Sequence, residues 1–157
     1  MVLRQAETEA LAELLLTDAY EFVLAGWCQG SRALDEYGCP IEPASAFARR
    51  WSLLGALERA WQRSSQPPDV VLDAFHGAKR ALTAACNELP QLWNDREGRR
   101  QSEVLDALAQ AVQLIAAASP PRHDILLDLL EDLDYAAPRS RVPEAAPVAQ
   151  ADPRHEL

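Results

Sequence analysis

Lysine is nearly absent from this chain. Lys79 stands alone beside fourteen arginines, and the 15 cations are outnumbered by 24 acids, for a net charge of -9. That balance argues against a general phosphate-backbone binder, which needs a basic face to displace counterions. No apolar run approaches the roughly 20 residues that cross a bilayer core. Arg4, Glu7, Glu9 and Glu13 interrupt the N-terminal stretch, so no leader-type apolar region follows it. The chain is therefore expected in the cytoplasm, with no membrane partner. Cysteine is scarce and odd in number: Cys28, Cys39 and Cys86 include no C-x-x-C pair and read as reduced thiols. No glycine-rich phosphate loop, dinucleotide fingerprint, H-E-x-x-H helix or G-x-S-x-G elbow occurs. Val, Ile, Thr and Phe are sparse, which starves any large sheet.

What is present is alanine and leucine at helical spacing. A length of 157 residues at 48% hydrophobic and 25% charged suffices for one buried core. The high alanine and the arginine bias also fit a GC-rich bacterial genome. The spacing predicts a first helix from about Arg4 to Ala25, with Leu11, Leu14, Leu15, Ala19, Phe22 and Val23 inward, closed by Gly26 in a left-handed conformation. Asp35-Glu36-Tyr37-Gly38 is turn chemistry between Ala33-Leu34 and Pro40-Ile41, which predicts a short β-hairpin with Pro40 on an edge. A second helix is expected over about Ala46 to Arg63, N-capped by Ser45, with Phe47, Trp51, Leu54 and Leu57 on a broad apolar face. Gly55 inside it implies close packing. A third helix is expected over about Asp69 to Asn87 and a fourth over about Ser102 to Ala118. Between them Pro90 starts a short turn carrying Leu92 and Trp93. Ser119-Pro120-Pro121 can open a fifth helix, with Ile125, Leu126, Leu129, Leu130 and Leu133 on one face and Asp124, Asp128, Glu131 and Asp132 on the other. Residues 136–157, proline- and alanine-rich without periodicity, read as a disordered tail. The expectation is a mostly α, bundle-like single domain over 1–135 with one hairpin, 119–135 being its acidic C-terminal helix.

Five strings occur in order: Gly26-Trp27-Cys28-Gln29-Gly30, Asp35-x-x-Gly38-x-Pro40, Trp51-x-x-x-Gly55-Ala56-Leu57, Trp93-Asn94-Asp95 and Arg100-x-x-Glu103-Val104. Together, over roughly residues 8 to 116, they resemble a family of small, mainly bacterial and phage-borne proteins catalogued as a domain of unknown function. The resemblance implies no activity. Two departures from the family pattern stand out: Ser52 where cysteine is frequent, which removes thiol chemistry from that spot, and Gln101 where threonine is frequent.

The candidate polar residues are few. Asp95 could act as a general base or bind a ligand, with Asn94 orienting a carbonyl or amide; the competing reading is a loop in which both bond their own backbone. Arg49-Arg50 and Arg99-Arg100 could converge on a phosphate or carboxylate, with Trp27, Trp51 and Trp93 beside them as apolar walls; the competing reading is surface ion pairs and core tryptophans. Cys28, Cys39, Asp35 and His76 could in principle hold zinc, but their spacing is looser than that of structural zinc sites, so no metal and no cofactor are expected. The residues to test for ligand binding are Trp27, Gln29, Arg49, Arg50, Trp93, Asn94 and Asp95, with Gly30 at the end of the first segment. No catalytic constellation can be assembled from them. The function expected is a non-enzymatic interaction or regulatory module, working through its helical faces or the acidic helix 122–134 on a protein partner or as a homodimer. The alternative is a small anionic-ligand binder or minor enzyme with its site at Trp27–Gly30, Arg49-Arg50 and Trp93–Asp95.

Overall fold

Three long helices carry the core. The computed structural model describes residues 2–119; the acidic helix and the tail expected beyond them lie outside the described residues. The elements are α1 (Val2–Ala25), β1 (Ala33–Leu34), β2 (Pro40–Ile41), β3 (Arg50–Trp51), α2 (Leu53–Arg63), α3 (Pro68–Cys86), α4 (Pro90–Asn94) and α5 (Gln101–Ala118). Helices α1, α3 and α5 pack on one another, and α2 lies against α1. The mostly α expectation holds.

The buried registers follow the helical repeat. On α1 they are Ala12, Leu15, Leu16, Ala19 and Val23; on α3, Val71, Ala74, Ala78, Ala81, Leu82 and Cys86; on α5, Val104, Ala107, Leu108, Ala111 and Ile115. Alanine at so many of these positions lets the helices approach closely. Leu14, expected inside, is 61% exposed. It sits about 200° around the helix from Ala12, and the fully buried Leu16 takes the inward position instead.

The β-hairpin is present, with Ala33 opposite Ile41 and Leu34 opposite Pro40. The sheet order is β2-β1-β3, so Pro40 lies on an edge, where its missing N–H costs no ladder bond. The third strand was not expected. Arg50–Trp51 pairs antiparallel with β1, and Trp27 runs parallel beside Trp51. The second helix consequently begins at Leu53 instead of Ala46. The Arg49 N–H goes to Leu34 O at 2.8 Å and the Trp51 N–H to Gly26 O at 2.9 Å, so this backbone is committed to the sheet. Ser45 holds a local turn by accepting from the Phe47 N–H at 3.2 Å. Ser52 is the true N-cap: its Oγ accepts from the Gly55 N–H at 3.1 Å. Phe47, expected on the helix face, is 71% exposed in that turn.

Two glycines are set by contact. Gly26 closes α1 without a positive φ; a Cβ there would lie 2.3 Å from Arg49 O. A Cβ on Gly55 would lie 1.8 Å from Arg32 O, so the close packing expected inside α2 is present, and against backbone. Gly26 thus does not take the left-handed conformation predicted for it; among the described residues that conformation falls to Gly30, Gly38 and Gly98 (φ 76°, 83° and 80°) and to Asn87 (φ 52°), which closes α3.

Candidate functional site

Four of the seven residues marked for testing, Trp27, Gln29, Asn94 and Asp95, meet at one junction. Pro90 opens α4, and this single turn carries Asn94 into the core, where it is fully buried. Asn94 Oδ1 accepts from Trp27 Nε1 at 2.9 Å and from the Leu53 N–H at 3.0 Å. Asn94 Nδ2 donates to Cys28 O at 3.1 Å and to Asp95 Oδ1 at 2.8 Å. A side-chain amide has two donors and two acceptor lone pairs, so every one is in use. Gln29 crosses the other way, its Nε2 donating to Asn94 O at 2.8 Å and Arg96 O at 2.9 Å. Asp95 Oδ1 also accepts from the Gly30 N–H at 3.0 Å, and its Oδ2 accepts from Gln91 Nε2 at 2.9 Å. Gln91 in turn accepts from the buried Ser52 hydroxyl at 2.9 Å. Segments 27–30, 52–53 and 91–96 are thereby stitched together.

The electrostatics match this wiring. Partial burial pushes the Asp95 carboxyl up, but the Gly30 N–H, the Gln91 and Asn94 side chains and the Arg32 charge outweigh it and hold Asp95 below its ordinary range. A general base working near neutral pH needs the opposite displacement. Burial pushes the Cys28 thiol up to about 11 despite the Arg50 charge nearby, and its Sγ–H points to Ser31 O at 3.6 Å. Cys28 is therefore a poor nucleophile. Among the described residues no group of three or more His, Cys, Asp or Glu could hold a metal ion, so Cys28, Cys39, Asp35 and His76 are not gathered. Asp35 is occupied within the hairpin turn, accepting from the Tyr37 and Cys39 N–H groups.

The arginines go separate ways. Arg49 Nη1 donates to Ala46 O and Ala48 O at 2.9 and 3.0 Å. Arg50 runs from Gly26 to Gly38, its Nη2 3.4 Å from where a Gly38 Cβ would sit. Arg99 lies over the Trp93 ring at 3.7 Å, donates from Nε to Trp93 O and pairs with Glu103. Arg100 gives its backbone N–H to Glu103 at 2.8 Å, half of a capping box for α5. The tryptophans are similarly dispersed: Trp51 is buried against Phe22 with ring centroids 5.1 Å apart, while Trp93 lies beneath Arg99. Gln101 Nε2 donates to Val23 O at 2.6 Å, tying the start of α5 to the end of α1.

A family described as of unknown function, DUF6197, matches residues 7–114. The chain belongs to the DUF6197 family. Within the DUF6197 match lie all the residues of the junction, from Trp27 to Arg96. No curated protein and no solved structure matches the chain. Sequence reasoning missed Gln91 and the Ser52 cap. The cap had a local signal, Ser52 three residues ahead of Gly55 in an apolar run. For Gln91 the only local signal was its i,i+4 spacing to Asp95; its other partner, Ser52, lies 39 positions away.

Proposed function

We propose that the protein is a non-enzymatic interaction module that docks a protein partner at one end of its small sheet. The carrying observation is the exposure of Tyr37 at 83% and Phe47 at 71%. Both belong to connections at the same end of the sheet. Tyr37 lies in the turn joining Leu34 to Pro40, and Phe47 precedes Arg50, which is paired with Leu34. Arg50 passes beside Gly38, and Arg49 is exposed in the adjoining segment. Tyr, Phe and Arg are the residue types enriched at protein interfaces. Two aromatic side chains this exposed represent apolar area that a partner would remove from water.

The polar groups from which an enzyme would be built are spent on holding three segments together, which also favours this reading. The anionic-ligand alternative retains Arg50, which has no carboxylate within salt-bridge distance among the described residues. A photo-crosslinking amino acid placed at position 37 or 47 in the full chain, expressed in a bacterial host, tests the proposal. One reproducible protein adduct at both positions, lost at position 37 when Phe47→Ala is added, is the expected result. An adduct of twice the chain mass would identify the partner as a second copy. No adduct, or the same adducts from a probe at the exposed Gln110 on α5, would overturn the proposal.

A further inference from the structure

A groove of about 620 Å³ opens between the first half of α1, the middle of α3 and the end of α5. None of its lining belongs to the sheet or to the Asn94 junction. Its floor is small and apolar, formed by Ala12, Gly77, Ala81 and Ile115. Gly77 keeps the floor low: a Cβ there would have its nearest neighbours at 3.8 Å, Ala12 Cβ, and 3.9 Å, Arg80 Nη2. The Arg80 guanidinium therefore reaches over the floor.

The charges at the rim differ in availability. Arg4 is paired with Asp69 at 2.7 Å. Glu9 accepts from Gln5 and Ser119. Arg80 has no carboxylate within salt-bridge distance among the described residues. Between Asp73 and Glu88 the only charged residues are Lys79 and Arg80, and a smaller hollow that shares Arg80 with the groove is lined by His76, Lys79, Arg80 and Thr83. Neither Lys79 nor Arg80 is in an ion pair among the described residues, so this edge of the apolar trough carries cations without a partner.

We propose that the groove binds a small amphiphilic anion, its apolar body on the Ala12–Gly77–Ala81 floor and its single acidic head on Arg80. The volume falls in the range of small-molecule sites, about 300–1,000 Å³. The planar guanidinium suits a carboxylate or sulfonate head. Asp73, two helical turns from Arg80 along the same groove edge, or about 10 Å, opposes a second acidic group and so selects singly charged ligands.

The test uses the full chain and two fluorescent probes of one shape: 1-anilinonaphthalene-8-sulfonate, and N-phenyl-1-naphthylamine, which lacks the sulfonate. Saturable one-to-one binding of the sulfonate is expected, displaced by decanoate. Arg80→Gln should weaken the sulfonate by about tenfold, the size of one hydrogen-bonded charge contact, and leave the uncharged probe unchanged. Gly77→Leu should abolish binding of both probes while raising the melting temperature, because leucine forms helix better than glycine and its Cβ has room. That combination separates a filled groove from a loosened fold. The proposal is overturned if the sulfonate shows no saturable binding, if Arg80→Gln weakens both probes alike or neither, or if Gly77→Leu leaves affinity intact.

Discussion

Asn94→Ala should be among the most damaging single changes in the folded part of this protein. The residue is fully buried, and its amide satisfies four partners. Two of them, the Leu53 N–H and the Cys28 carbonyl, are met in buried bonds. Truncation leaves both without a partner, at about 1–3 kcal/mol each. Trp27 Nε1 is partly buried and adds a smaller amount, and the exposed Asp95 can turn to water. The sum is about 4 kcal/mol, a large share of the about 5–15 kcal/mol by which domains are stable. For a urea slope of about 2 kcal/mol/M, the midpoint should fall by about 2 M. Tryptophan fluorescence follows the transition, and the Trp27 indole N–H resonance, assigned by its loss in Trp27→Phe, should move upfield before any unfolding. A midpoint shift below about 0.5 M, less than one ordinary hydrogen bond at that slope, would refute the argument that this amide holds three segments together.

Gly55→Ala and Gly77→Ala both replace a helical glycine and should move stability in opposite directions. At Gly55 the new Cβ meets Arg32 O at 1.8 Å, so backbone must shift and a loss of about 2–4 kcal/mol is expected in urea melts; at Gly77 the new Cβ makes only ordinary van der Waals contact, 3.8 Å from Ala12 Cβ, and a gain of about 1 kcal/mol is expected. Asp95 makes stability depend on acid: its folded pKa lies below the unfolded value of 3.8, so its contribution is complete above about pH 5 and is lost as pH falls through the folded pKa. Asp95→Asn should therefore flatten the stability profile below pH 4, and an unchanged slope would contradict the wiring described for Asp95. Burial pushes the Cys28 and Cys86 thiols up to about 11, whereas Cys39 is exposed. At pH 8 a disulfide-exchange reagent should titrate one thiol quickly in the native protein and three in urea; two fast thiols would mean that one buried cysteine is reachable.

The long helices were legible in the sequence because their apolar period is set locally and their stops carry proline or glycine chemistry, as at Ser64–Pro68. The hairpin was legible for the same reason, through Asp35 and Gly38. The strand at Arg50–Trp51 was not. Phe47, Trp51 and Leu54 keep a helical spacing, and what forbids the helix is the claim that Leu34 O and Gly26 O make on the Arg49 and Trp51 N–H groups. Those acceptors are 15 or more residues away and invisible to a window. The Trp93-Asn94-Asp95 cluster could be marked as polar and important from its residue types, but its partners could not be named. A fully used amide and an available one look alike until Trp27, Cys28 and Leu53 are placed around it.

The hydrogen bonds from Trp27 to Asn94 and from Gln29 to Asn94 and Arg96 join residues 65 to 67 positions apart. The loop they close contains the whole sheet, α2 and α3. Closing such a loop carries an entropic cost that grows slowly with its length but must be met before the bonds contribute. The junction is therefore expected to form late in folding, and its opening is expected to be coupled to that of the elements it encloses. Amide hydrogen exchange at Leu53 should accordingly proceed only through global unfolding, at the rate set by total stability; faster local exchange there would show that the junction opens by itself. In mechanical terms the Asn94 junction is a non-covalent crosslink, and this protein in effect carries the topology of a clasped ring without a disulfide to hold it.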